Sequence, residues 1–275
     1  MKDLLNANFF RLKKDKTFKI FITIAITITI LRILLGYQQM QKIETVGINI
    51  ETIIIDFMQI IGIFIAMFVS LFVGRDYSYG IIRNKIIAGK TRTNIYLSNL
   101  VVSIFATTIC EIICILIILT IGILILDKST ILVSQLLFTI FNILLIIGVY
   151  CSIFNLISMW CSETTISVIA CTIAFIAIFV ICAYLQGIIS IDKEIINKTF
   201  DEAGNEHIVS AIPNPNYPGE IKQNIAKVVY YAFPTGQINE LSNKENLEKI
   251  PIYAIGSICI INIIGILFFR RKELK

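Results

Sequence analysis

Six long apolar runs, separated by polar stretches, make up most of this sequence. They lie at residues 18–36, 53–73, 98–126, 131–157, 165–185 and 251–269. An α-helix needs about 20 apolar residues to cross the hydrocarbon core of a bilayer, because each residue adds about 1.5 Å of rise. Each run is long enough, so the pattern predicts an all-α membrane protein with six transmembrane helices.

The composition agrees with this pattern and limits what else the chain can contain. Of the 275 residues, 56% are hydrophobic, which is far from the composition of a soluble domain. The six runs leave only short tails, tight loops and one long loop at residues 186–250. We therefore expect a single transmembrane domain over residues 1–275, with no separate soluble catalytic domain.

Lysine and arginine are concentrated in segments that six spans would place on one side of the membrane. These residues are Lys2, Arg11, Lys13, Lys14, Lys16, Lys19, Arg75, Arg83, Lys85, Lys90, Arg92, Arg270, Arg271, Lys272 and Lys275. The short loops of the other side hold only Lys42 and Lys128. The positive-inside rule then predicts cytoplasmic N and C termini and an extracellular loop 186–250. The net charge of +5 fits this topology and attraction to anionic lipid rather than nucleic-acid binding.

Two polar segments on the predicted cytoplasmic side have helical spacing. In residues 1–17, Leu5, Phe9 and Leu12 share one face, which predicts an amphipathic helix at the membrane interface; an ordinary basic flank is the alternative. In the loop 74–97, apolar residues at i, i+4 spacing predict a short helix. Gly89 stands where a glycine would end this short helix, and Thr91 or Thr93 stands where it could cap the start of the third span. Such a helix suits docking onto another protein, although it could merely seal the loop.

Motifs for catalysis, nucleotides and metals are missing from the sequence. His207 is the only histidine, which excludes a metalloprotease motif. Gly89-Lys90-Thr91 imitates the end of a P-loop, but Asn84 stands where the loop requires glycine. We expect a non-enzymatic chain without a cofactor or metal of its own. If ATP is used, another polypeptide must hydrolyse it.

A few polar residues interrupt the apolar runs. Glu111 lies in the third run, and Asn142 and Asn155 lie in the fourth. Polar groups at this depth usually face the bundle interior or a water-filled route. Each could therefore line a substrate path, or could instead join helices by hydrogen bonds. Glu111 could also carry protons, which would make the chain a proton-coupled secondary transporter.

The stretch from Asp76 to Leu100 resembles the permease subunits of type-2 ABC exporters, particularly bacterial drug, bacteriocin and lantibiotic-immunity permeases. The matching residues are Asp76, Gly80, Ile82, Arg83, Asn84, Lys85, Gly89, Lys90, Thr91, Arg92, Ile95, Tyr96, Leu97 and Ser98. The basic residues after the last span and the position of the longest outer loop are similar as well. Asp76 and Ile81 depart from the usual Glu and Thr of the family.

This resemblance implies a type-2 exporter permease fold and two kinds of partner. Two permeases, identical or homologous, would pair with ATPase subunits that carry the ATP and Mg²⁺. Residues 80–88 would form the coupling helix, with Arg83 and Lys85 meeting acidic residues of the ATPase and Ile82 and Ile86 filling its apolar groove. The implied interface consists of Asp76, Gly80, Ile82, Arg83, Asn84, Lys85, Ile86, Gly89 and Arg92. The implied substrate is an amphipathic peptide, drug or lipid, and the implied location is the plasma membrane of a Gram-positive bacterium.

Overall fold

The computed structural model describes residues 1–42, 50–125, 133–200, 206–244 and 246–272. The elements are α1 (Lys2–Lys14), α2 (Lys16–Lys42), α3 (Ile50–Ser78), α4 (Ile81–Ile87), α5 (Arg92–Ile117), a π-helical turn (Ile118–Gly122), α6 (Ile123–Ile125), α7 (Val133–Trp160), α8 (Thr164–Ile189), β1 (Glu194–Phe200), β2 (Glu206–Pro213), α9 (Glu220–Ala232), α10 (Pro234–Asn243) and α11 (Lys249–Arg271). Lys128, Lys275 and residues 201–205 of the predicted outer loop lie outside the described residues.

Among the described residues, six helices are long and apolar enough to cross a membrane, which confirms the prediction of a multi-pass, predominantly α-helical membrane protein. They are α2, α3, the continuous helix Arg92–Ile125, α7, α8 and α11. The helices extend beyond the apolar runs. The first five residues of the predicted loop 74–97 therefore belong to α3, and its last six belong to α5.

Helix α3 lies at the centre of the bundle. It packs against α2, α7 and α8, and most of its apolar side chains are buried. Phe68 stacks on Phe21 of α2 with ring centroids 5.0 Å apart, and Phe72 stacks on Phe68. Because its neighbours enclose α3, they hold its C-terminal end in place, and this end positions the segment that leads into α4.

Both ends of the chain and α4 lie at the same end of the bundle. Lys90 at the start of α5 pairs with Asp3 of α1 at 2.8 Å. Arg92 donates to the carbonyl of Phe269 at the end of α11, at 3.0 Å. The described residues among the lysines and arginines named above gather here, and by the positive-inside rule this is the end expected to face the cytoplasm. We call it the basic end.

The chain turns sharply between α1 and α2. Asp15 is extended, and its carboxylate accepts a hydrogen bond from the Thr17 amide at 2.8 Å, which caps α2. The predicted interfacial helix 1–17 is thus shorter, ending at Lys14. It packs on α5 through Leu4, Asn8 and Leu12, so only its outer side is free to contact lipid.

The long loop between α8 and α11 is more structured and more deeply placed than expected. Antiparallel strands β1 and β2 form a hairpin that the sequence did not predict. Helices α9 and α10 form a re-entrant pair. Thr235, in the first turn of α10, shares a 3.3 Å hydrogen bond with Tyr150 of α7. Tyr150 is only about 15 Å from Trp160, where α7 reaches the basic end, so the turn between α9 and α10 lies deep in the bundle. Helices α9 and α10 thus enter the helix bundle, whereas the sequence predicted an outer loop for the whole of residues 186–250.

The turn of the re-entrant pair depends on a close approach of backbone. A β-carbon at Gly236 would lie 2.9 Å from the Tyr230 carbonyl carbon. Gln237 donates to the Tyr231 carbonyl at 2.8 Å, which satisfies backbone at this depth. Irregular backbone within a bilayer is tolerated where protein encloses it, as here.

Candidate functional site: the elbow between α3 and α5

Helix α4 and its two flanking turns form a rigid elbow between α3 and α5. Gly80 and Gly89 adopt left-handed backbone angles, with φ of 65° and 76°. Only glycine takes these angles without a steric penalty, so the two residues fix where α4 begins and ends. Thr91 then caps α5 by accepting from the Asn94 amide at 3.3 Å. The predicted short helix, its glycine stop and the Thr91 cap are confirmed.

The inner face of α4 lies on a buried group of polar side chains. Ile82 is 1% exposed, and Lys85 points inward beside it. Lys85 Nζ lies 2.9 Å from Asp76 Oδ2 on the last turn of α3, and the Asp76 side chain is fully buried. Asp76 also pairs with Arg11 of α1. One carboxylate therefore ties α1 and α4 to the end of α3.

Amide side chains complete this network. Asn99 of α5 donates to Asp76 Oδ2 at 3.1 Å, and Asn8 of α1 donates to Asn99 Oδ1 at 2.7 Å. Lys85 also donates to Asn8 Oδ1 at 3.1 Å. We call Asp76, Arg11, Lys85, Asn8 and Asn99 the Asp76 cluster. Four elements, α1, α3, α4 and α5, thus meet through hydrogen bonds to one another at the basic end.

Burial makes both cations of the cluster depend on Asp76. Burial lowers the pKa of Arg11 to about 10 and the pKa of Lys85 to about 7. The nearby Arg11 charge lowers the pKa of Lys85 as well. The cause is the loss of hydration, which disfavours a charged group. The Asp76 carboxylate is the counterion that offsets this loss. Removing it would leave two cations without a carboxylate partner within the cluster.

The outer face of α4 is open to solvent. Tyr79 and Ile87 are 71% and 76% exposed, and Arg83 and Asn84 are exposed between them. We call these four residues the elbow face. The elbow face combines a large aromatic group, an apolar side chain and a cation, which is the composition of residues that anchor protein interfaces.

Several residues of the predicted partner interface face inward instead. Asp76, Ile82 and Lys85 are occupied within the chain, so they cannot meet a partner in this conformation. Ile86 is half-buried against the core. The sequence missed this because a two-turn helix offers no register signal to show which face is buried. Asn8 and Arg11 were missed as cluster members, since nothing in the sequence places α1 beside α4.

Arg92 also has a different role from the one expected. Its guanidinium donates to the carbonyls of Phe269, Arg270 and Lys272, at the C-terminus of α11. Such a cation satisfies carbonyls that a helix end leaves free and stabilises its negative dipole end. Arg92 therefore joins the start of α5 to the end of α11.

Lys272 makes the same kind of contact at the C-terminal end of α7. Its Nζ donates to the carbonyls of Met159, Trp160 and Cys161, at 3.1, 2.7 and 3.1 Å. The elbow is consequently connected through α5 to α11, and through α11 to α7, by two cations at helix C-termini.

The three polar residues proposed for a substrate path are all buried, and Asn155 lies at a different level from the other two. Glu111 is 2% exposed, and its Oε1 has no hydrogen-bond partner within the described part of the chain. Asn142 donates to the Phe138 carbonyl on its own helix at 2.9 Å. Asn155 lies about 8 Å from the end of α7 at Trp160, far from Glu111 near the middle of its helix. The three residues are therefore spread along the length of the bundle.

An apolar cleft of about 330 Å³ lies below the re-entrant pair. Ala232 and Phe233 form its roof, and Ile153 of α7 and Ile260 of α11 form its walls. No local sequence pattern indicates this cleft, because it exists only where α9 and α10 enter the bundle. Neither Glu111, Asn142 nor Asn155 lines this cleft.

The sequence matches no model of a known protein family and no curated protein.

Proposed function

We propose that this chain is the membrane subunit of an ATP-driven exporter, and that separate ATPase subunits dock on the elbow face. The resemblance of residues 76–100 to type-2 ABC exporter permeases suggested this function. The observation that carries it is the two-faced form of α4, which is anchored inside by the Asp76 cluster and exposed outside at the elbow face.

The contacts of the elbow suit the transmission of a rigid-body push. A displacement of α4 must move α1, α3 and α5, because the Asp76 cluster binds all four elements. Arg92 and Lys272 extend the connection to α11 and α7. A packed assembly of this kind moves as a unit instead of deforming locally.

The proposed substrate is amphipathic, such as an antimicrobial peptide, a drug or a lipid. The apolar cleft below the re-entrant pair supports this class, since it offers almost no polar group to a hydrophilic solute. In this proposal the protein works in a bacterial plasma membrane, of the Gram-positive type that the resemblance implies, with a second permease copy or a homologue beside it.

The docking test co-expresses this chain with the ABC ATPases of its source genome and measures which of them co-purify. Arg83→Glu with Ile87→Asp changes only exposed side chains of the elbow face. We expect at least about a tenfold loss of ATPase capture, because such anchor residues typically contribute about 2 kcal/mol each. Arg271→Glu is the control, since Arg271 is an exposed cation at the same end. Undiminished capture by the double variant would remove the docking assignment.

A proton-coupled transporter is the competing function, and the buried Glu111 with its unpaired Oε1 is the observation in its favour. The two functions differ in energy source. Proteoliposomes holding this chain alone would transport under a proton gradient if the competing function were correct, and Glu111→Gln would abolish that transport. We expect no transport until ATPase and ATP are added, and ATP-dependent transport that Glu111→Gln leaves intact.

A further inference from the structure

An open groove of about 660 Å³ lies at the junction of α1 and α2, where Arg11 of the Asp76 cluster forms part of its wall. We call it the junction groove. Its main lining residues are Phe10, Lys14, Asp15, Lys16, Arg75 and Tyr79. The groove occupies the point where the chain turns from α1 into the first span, so its depth corresponds to the headgroup layer of the membrane.

The junction groove carries uncompensated positive charge. Its single acidic lining residue, Asp15, is paired with Arg75 at 3.0 Å. Lys14 and Lys16 have no carboxylate partner among the residues that the structure describes. Lys14 Nζ lies 4.3 Å above the ring of Phe10, which holds the ammonium group at the groove edge. Two cations are therefore presented together to an anion.

The surroundings of these cations are apolar and aromatic. Phe10 and Tyr79 are 61% and 71% exposed at the rim, and aromatic rings of this kind settle at the level of lipid headgroups. Ile20 and Ile24 are exposed on α2 immediately beyond the groove. A ligand that fits all of these features has an anionic head and an apolar tail.

We propose that the junction groove binds the headgroup of an anionic phospholipid. The phosphate lies between Lys14 and Lys16, the glycerol part contacts Phe10 and Tyr79, and an acyl chain follows Ile20 and Ile24 along α2. Free phosphate would use the lysines but not the apolar features. The junction groove shares Tyr79 with the elbow face, but the inference concerns the chain's own contact with its membrane, and lipid preference is measured without an ATPase.

The test uses a tryptophan reporter in the groove. Trp160 is the only tryptophan, so Trp160→Phe with Tyr79→Trp places a single reporter at the rim. The protein is reconstituted in phosphatidylcholine with rising fractions of brominated phosphatidylglycerol or brominated phosphatidylcholine. We expect half-maximal quenching at about a fivefold lower fraction of the phosphatidylglycerol, since each basic residue near a membrane favours anionic lipid by about this factor.

Matched lysine variants identify the groove as the cause. Lys14→Gln with Lys16→Gln should abolish the preference, whereas Lys13→Gln with Lys19→Gln should retain it, because those exposed lysines do not line the groove. Equal quenching by both lipids in the reporter protein would overturn the proposal. So would displacement of the brominated phosphatidylglycerol by inorganic phosphate, which would indicate a soluble anion. Loss of ATPase capture in the groove variant with lipid preference unchanged would show a protein-docking surface instead.

Discussion

Asp76 lies in the last turn of α3 and pairs with a cation from each of two other helices. Arg11 is additionally held against the Phe72 ring, with its guanidinium carbon 3.9 Å from the ring centroid. A buried pair of this kind contributes little net free energy, but breaking it by removing one partner is costly. At the residue scale, stability at the basic end is therefore most sensitive to Asp76.

Asp76→Asn should lower the free energy of unfolding by about 3–5 kcal/mol, because Arg11 would keep its charge without the buried carboxylate. Lys85, whose pKa is already lowered to about 7, would lose its proton and with it the ion pair that holds α4. Thermal unfolding in detergent measures the change. Asp3→Asn is the control, since Asp3 pairs with Lys90 on the surface, where its side chain is 81% exposed. A midpoint for Asp76→Asn equal to that of the control would contradict the role given to the cluster.

Helix ends, more than helix interiors, determine how the elements are joined. Glycines with left-handed backbone set both limits of α4, and threonine caps the start of α5. Arg92 and Lys272 then occupy the carbonyl ends of α11 and α7. At the element scale, the basic end is a set of helix termini held together by caps.

Gly89→Ala should destabilise the protein by about 1–2 kcal/mol, because an L side chain is strained at a φ of 76°. Gly187→Ala is the matched control. Gly187 lies inside α8 with open space where a β-carbon would be, so alanine there should be neutral or slightly stabilising. Equal effects of the two substitutions on thermal unfolding would argue against a fixed elbow.

Arg92→Gln should loosen the last turn of α11, since three carbonyls lose their donor. Hydrogen exchange followed by mass spectrometry should show about a tenfold faster exchange there, from loss of about 1.5 kcal/mol of charge-assisted bonding. Arg271→Gln, which alters an exposed side chain of the same turn, should leave the exchange unchanged. Similar acceleration in both variants would show that charge alone matters.

The whole molecule has two different ends. The basic end gathers both ends of the chain and the elbow, and the opposite end carries the hairpin and the outer part of α9 and α10. The Gln59 side chain donates a hydrogen bond to Asn239 at 3.0 Å, which anchors α10 to the N-terminal half of α3, the half away from the basic end. Between the two ends lie the re-entrant pair and the apolar cleft.

Cysteine labelling in intact cells should show the orientation of these ends. In a variant whose seven cysteines are replaced by alanine, Asn216→Cys should react with an impermeant maleimide added outside. Tyr79→Cys should react only after permeabilisation, because the basic end is expected to be cytoplasmic. Both positions are exposed in the structure, so access depends on the side of the membrane. The reverse pattern would invert the topology and remove the elbow from reach of an ATPase.

The sequence by itself determined the six helices, the position of α4, and the gathering of basic residues in the segments of one end. These features arise from local properties: apolar length, helical spacing, glycine stops and charge bias. The helical spacing of the apolar residues after the prolines likewise predicts a helix, and α9 confirms it; these residues are Ile221, Ile225, Val228, Val229 and Ala232.

Only the tertiary structure decided which polar side chains face the interior of the bundle and which face its surface. Lys85 looks like a surface cation in the sequence and is a buried partner of Asp76, because α1 and α5 close over it. Arg92 looks like part of a docking loop and instead caps α11, some 177 residues away. Contacts between distant segments also bring α9 and α10 into the bundle and create the cleft. Such contacts depend on packing between helices, which no local pattern encodes.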